Sequence, residues 1–87
     1  MKKYTVIIHN RNRADKETTG TIEELTRYFG YTLEVGASWQ YEPGNKKIDR
    51  HPKTIASLIK NLNNAESNAA ANGDSATWYE KKEEAKK

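Results

Sequence analysis

The chain has 87 residues and a mass of 9.9 kDa, enough for one hydrophobic core and no second. Hydrophobic residues make up 34% and charged residues 31%, with mean hydropathy −1.05, which sets the chain near the border with disordered sequences. The absence of cysteine excludes a disulfide scaffold, thiol catalysis and thiolate-ligated zinc, and a net charge of +3 is too mild to select a partner.

The longest apolar run is Val6-Ile7-Ile8, too short to span a membrane. Met1-Lys2-Lys3 is basic without the apolar core of a signal peptide, so a cytoplasmic location is expected. A chain this small and polar, with no disulfide, buries little. Self-association into a homo-oligomer or a bound ligand is expected to add stability.

Tyr4 to His9 reads as a strand, with Tyr4, Val6 and Ile8 on one face and Thr5, Ile7 and His9 on the other. Asn10 to Gly20 turns polar and is expected to be a mobile surface loop. Thr21-Ile22-Glu23-Glu24 is a capping box that opens a helix. Ile22, Leu25, Phe29 and Leu33 form its buried stripe, and Gly36 is the expected C-cap. Gly30, inside this helix, marks either close packing or a kink. Ala37 to Ile48 reads as a hairpin around a Pro43-Gly44 turn. A second helix is expected from about Pro52 to Asn72, capped by His51 or by Thr54. Ile55, Leu58, Ile59, Leu62, Ala65 and Ala69 give it one apolar stripe. Thr77 to Lys81 is either a last strand pairing with the first or the start of a charged helix, and the strand is preferred. The expected fold is α+β: a small antiparallel sheet packed against two amphipathic helices in one domain, residues 1–80. Residues 81–87 form a charged, disordered tail on this reading.

Catalysis is not expected. His9 and His51 are far apart in sequence, no carboxylate pairs obviously with either, and no nucleophile elbow, zincin or Walker motif is present. No cofactor or metal is implied. The best candidate site is the basic run Lys46, Lys47, Arg50, His51, Lys53 and Thr54 at the start of the second helix. Backbone N–H groups and partial positive charge at a helix start favour an anion, and Arg50 can grip a phosphate with two parallel bonds. The competing reading is a solvated loop partly neutralised by Asp49. Trp39 and Tyr41 either stack bases beside these lysines or cover the core, and at least one of Trp39 and Trp78 is expected inside it. Asn61, Asn63, Asn64, Asn68 and Asn72 crowd the polar side of the second helix, where Glu and Lys are usual. They suggest a hydrogen-bonding partner surface, at Asn61, Asn64 and Asn68, or the compositional bias of an A·T-rich genome.

Gly20-Thr21-Ile22-Glu23-Glu24-Leu25 with Tyr31-Thr32-Leu33-Glu34, then Pro52-Lys53-Thr54-Ile55 and Leu62-Asn63-Asn64-Ala65 through Ala70-Ala71-Asn72-Gly73, resembles short accessory proteins of tailed bacteriophages. The resemblance spans roughly residues 20–80 and contains no catalytic motif. It implies a viral accessory protein in the bacterial host cytoplasm that works by binding. Some such proteins block a host enzyme or defence component, and others bind nucleic acid or nucleotide. The expectation is a non-catalytic protein making stoichiometric contact with a host protein. A phosphate-binding module and a virion or assembly component are the alternatives.

Overall fold

In the computed structural model, which describes residues 2–70 and 74–83, the central strand β1 (Tyr4–Asn10) lies between two antiparallel neighbours. On one side runs β2 (Arg13–Gly20), on the other β3 (Thr77–Lys81), giving the order β2-β1-β3. The α+β architecture and the strand at Thr77 stand.

The segment expected as a loop is β2. Its pattern was concealed because it is an edge strand with only Thr18 and Gly20 withdrawn from solvent, so Lys, Glu and Thr replace the apolar alternation of a covered strand. The turn is a local device: the Asn12 N–H donates to Asn10 Oδ1 at 2.9 Å. The Arg11 N–H then donates to Ala76 O at 2.9 Å, joining the hairpin tip to the approach of β3.

The predicted first helix is two. The Thr21 capping box forms, with Glu24 N–H donating to Thr21 Oγ1 and Thr21 N–H donating to Glu24 Oε1. That N–H holds the Glu24 carboxyl below its usual range. α1 (Ile22–Tyr28) then breaks at Phe29, and α2 (Gly30–Ser38) follows. Gly30 marks the kink; a Cβ there would meet nothing within 4 Å. Gly36 is not a C-cap. It lies inside α2, where a Cβ would stand 2.3 Å from Ala65 Cβ, so its missing side chain lets two helices touch.

No hairpin forms at 37–48. α2 runs on to Ser38, and the chain then turns through Pro43-Gly44, where Gly44 takes φ +85°. Irregular backbone leads to α3 (Ile55–Ala69), which is capped by Thr54 and not by His51. Pro52 is buried ahead of the helix instead of occupying its first turn. Asn72-Gly73 and residues 84–87 of the expected tail lie outside the described residues.

The helices cover the sheet face bearing Val6 and Tyr79. Val6, Leu25, Leu33, Leu58 and Leu62 are almost fully enclosed, with Phe29, Ile48 and Tyr79 completing the core. Neither tryptophan fills it: Trp39 is 49% exposed and Trp78 45%. The ring positions go to Phe29 and Tyr79, edge to face at 5.4 Å. The Tyr79 hydroxyl donates to Glu66 Oε2, and burial followed by that carboxylate raises its pKa. Among the described residues, no helix is long and apolar enough to cross a membrane.

Candidate anion-binding clefts

The segment between α2 and α3 has no ladder of its own, and asparagines of α3 take its place. Asn68 Oδ1 accepts from Lys46 N–H at 2.9 Å, and its Nδ2 donates to Lys46 O at 2.7 Å and Gly36 O at 3.1 Å. Asn61 Oδ1 accepts from Asp49 N–H at 2.7 Å. Gln40 Oε1 accepts from Ile48 N–H at 3.1 Å. A side-chain amide presents the same donor and acceptor as a peptide unit, so it can pair with backbone that has no strand beside it. Asn63 does the same at the sheet edge, pairing both with Tyr79 N–H and with Tyr79 O. The expected asparagine partner surface is therefore corrected. Asn61 and Asn68 are buried and bonded within the chain, and Asn64 alone of the three named is half-exposed.

Held this way, Arg50 to Lys53 face the α1–α2 pair across an open cleft of about 1000 Å³. Arg50, His51 and Lys53 line it with Lys2 from the chain start and Arg27 from α1. Glu23 and Glu34 are its carboxylates; Tyr4, Ile22, Leu33 and Pro52 are apolar lining. A smaller cleft of about 480 Å³ lies on the other side of Arg50 and His51, with Lys47, Asp49, Lys60, Asn61 and Asn64 in its walls.

Four of the six predicted anion residues, Lys47, Arg50, His51 and Lys53, thus line the clefts. Lys46 and Thr54 line neither. Thr54 Oγ1 accepts from Ser57 N–H and caps α3. Trp39 and Tyr41 also line neither cleft, so base stacking by them beside the lysines is not supported. Lys2 and Arg27 were missed because each belongs to a stretch distant in sequence from the basic run, and Lys60 because it lies within α3, past the helix start on which that run was centred. Arg27 stands 4.0 Å from Glu23, a weak exposed pair, and Lys2 lies over the Tyr4 ring at 5.5 Å. Among the described residues, Arg50, Lys53, Lys47 and Lys60 make no ion pair.

A second constellation lies on the uncovered sheet face. His9 Nδ1 is 3.1 Å from Asp15 Oδ1 and Nε2 is 2.9 Å from Glu80 Oε1. The ring stacks on Trp78 at 5.2 Å. The Glu80 hydrogen bond raises the His9 pKa most, burial opposes it, and Asp15 adds to the rise, so that the net direction is upward. This corrects the expectation that neither histidine has a carboxylate partner. Both ring nitrogens are occupied, so the imidazole has none to offer a substrate. Among the described residues, no group of three His, Cys, Asp or Glu side chains is placed to hold a metal.

Compared with protein-family models, curated proteins and solved structures, the chain matches none.

Proposed function

We propose that this chain is a non-catalytic binding protein whose ligand is a phosphate-bearing anion, taken up between α1–α2 and the Arg50–Lys53 segment. The supporting observation is the convergence of Lys2, Arg27, Arg50 and Lys53, from three separated stretches of sequence, on one cleft with only Glu23 and Glu34 opposing them. Among the described residues, Arg50 and Lys53 make no ion pair and Arg27 has only its weak exposed contact with Glu23. Cations gathered at one cleft attract counter-charge more strongly than the same cations spread on a surface. In a cell the protein would act as a phage-type accessory factor in the bacterial cytoplasm, in line with the resemblance of its sequence.

Calorimetric titration with pyrophosphate at low salt tests this. Binding is expected, and Arg50→Ala with Lys53→Ala is expected to remove it. Absence of heat with the unaltered protein, or an unchanged affinity in the double variant, rejects the cleft as an anion site.

The second reading, stoichiometric contact with a host protein or defence component, draws on the exposed aromatic side chains Tyr28, Trp39, Tyr41 and Trp78. Large rings of this kind are enriched where proteins meet. A pull-down from nuclease-treated bacterial lysate separates the two. A defined protein retained through moderate salt favours host contact. Loss of all captured material after nuclease favours the phosphate ligand. Self-association, the mark of a virion or assembly role, would use the free edge of β2.

A further inference from the structure

We infer that the ligand is a single strand of nucleic acid, lying across Arg50 and His51 from one cleft into the other. This rests on the anion reading above and gives that anion its chemical class. Arg50 and His51 line both clefts, so they form a ridge shared by two concave sites. Lys53 and Arg27 stand on one side of the ridge, Lys47 and Lys60 on the other. A lone phosphate or a mononucleotide fills part of one cleft and leaves the cations of the other unmatched. A chain of phosphodiesters crossing the ridge meets both sets, with Arg50 at the crossing.

The lining also speaks for bases. A site for a bare polyanion needs cations only, whereas the larger cleft adds Tyr4, Ile22 and Pro52 as apolar surface. Tyr31, 82% exposed, does not itself line the cleft, but unlike Trp39 and Tyr41 it stands between two residues that do, directly after Gly30 and one helical turn before Glu34. A Cβ at Gly30 would meet nothing within 4 Å, so the chain does not close over that rim. Base stacking on an exposed aromatic side chain beside a basic track is how single strands are held without sequence readout. A duplex keeps its bases stacked inside and presents its phosphates on a convex surface, so it can lower no base into either cleft.

The test is fluorescence anisotropy with labelled ribo- and deoxyribo-oligonucleotides of about eight nucleotides, within the site size of single-strand modules. Pyrophosphate, a mononucleotide, heparin and the matching duplex serve as competitors. At least one oligonucleotide is expected to bind about ten-fold or more tighter than the mononucleotide, and the more tightly held sugar identifies RNA or DNA as the source. Arg50→Ala and Lys60→Ala are each expected to flatten the dependence of log K on log salt by about 0.7, the increment for one phosphate contact on a single strand. Tyr31→Ala is expected to weaken binding roughly ten-fold with the salt slope unchanged. These side chains are exposed, so the variants are expected to fold, and far-ultraviolet circular dichroism checks that. Unchanged affinity in Lys47→Ala with Lys60→Ala overturns the crossing and leaves a simple anion site in the larger cleft. Equal competition by heparin, with no effect of Tyr31→Ala, overturns the nucleic-acid class and leaves the anion reading intact. Equal competition by the duplex overturns the single-strand assignment. If neither pyrophosphate nor oligonucleotide binds, both readings fall.

Discussion

His9 is bound on both sides by carboxylates, and neutral imidazole has only one N–H to donate. The imidazolium satisfies Asp15 and Glu80 together, which ties β2 and β3 to the central strand. Because folding raises the pKa above 6.5, this contribution is complete below the ordinary histidine value and is lost as pH rises through the higher folded one. Urea midpoints measured from acid to mildly alkaline pH are expected to fall across that window. His9→Gln is expected to flatten this part of the profile, and parallel profiles for the two proteins would rule out the clasp. Asn68 shows the same economy at a buried position. Its replacement by alanine removes the partners of Lys46 N–H and Lys46 O and one of two donors to Gly36 O, which keeps the Trp39 N–H. A loss of about 2 kcal/mol is expected in urea unfolding, since buried backbone groups left unpaired are costly.

Two glycines of one helix separate packing from propensity. A Cβ at Gly36 would stand 2.3 Å from Ala65 Cβ and 2.4 Å from Ala65 Cα. The second of these is backbone, so α2 and α3 would have to move apart. Gly36→Ala is expected to destabilise by about 3 kcal/mol, at the upper end of overpacking costs. Gly30→Ala meets nothing and gains helix propensity, so it is expected to be neutral or stabilising by up to about 1 kcal/mol. Thermal unfolding of the two variants side by side checks the contrast, and equal melting temperatures would contradict the close helix contact. At β3, Asn63 pairs with Tyr79 and covers part of an edge, while β2 leaves its outer edge open with Asp15, Lys16 and Glu17 as charged guards.

The whole molecule measures 45 × 28 × 18 Å, a thin slab of one sheet and one helical layer. A layer pair this thin encloses few side chains completely, which makes stability sensitive to anything bound by the folded form alone. An oligonucleotide at a hundred times its dissociation constant would add about 2.7 kcal/mol. Its addition is therefore expected to raise the melting temperature measurably at low salt, and to raise it less as salt increases. A melting temperature indifferent to oligonucleotide would place the stabilising partner elsewhere, and one that rose with protein concentration alone would point to self-association.

The sequence by itself determined the locally coded features. Thr21 with Glu24, the Pro43-Gly44 turn, the β1 alternation and the apolar stripe of α3 from Ile55 to Ala65 depend on neighbours within a few residues, and each stands in the structure. Ala69 of that stripe is exposed, and the choice of Thr54 over His51 as cap came from the fold. Only the tertiary structure decided the rest. β2 carries no apolar pattern because one edge and one face meet water, so its pairing with β1 is written in β1. The asparagines of α3 looked like a surface because their partners, at Lys46, Asp49 and Tyr79, lie twelve to twenty-two residues away. The clefts needed folding most of all. Their cations come from the chain start, α1, the irregular segment and α3, and electrostatics acts through space, where sequence separation has no bearing.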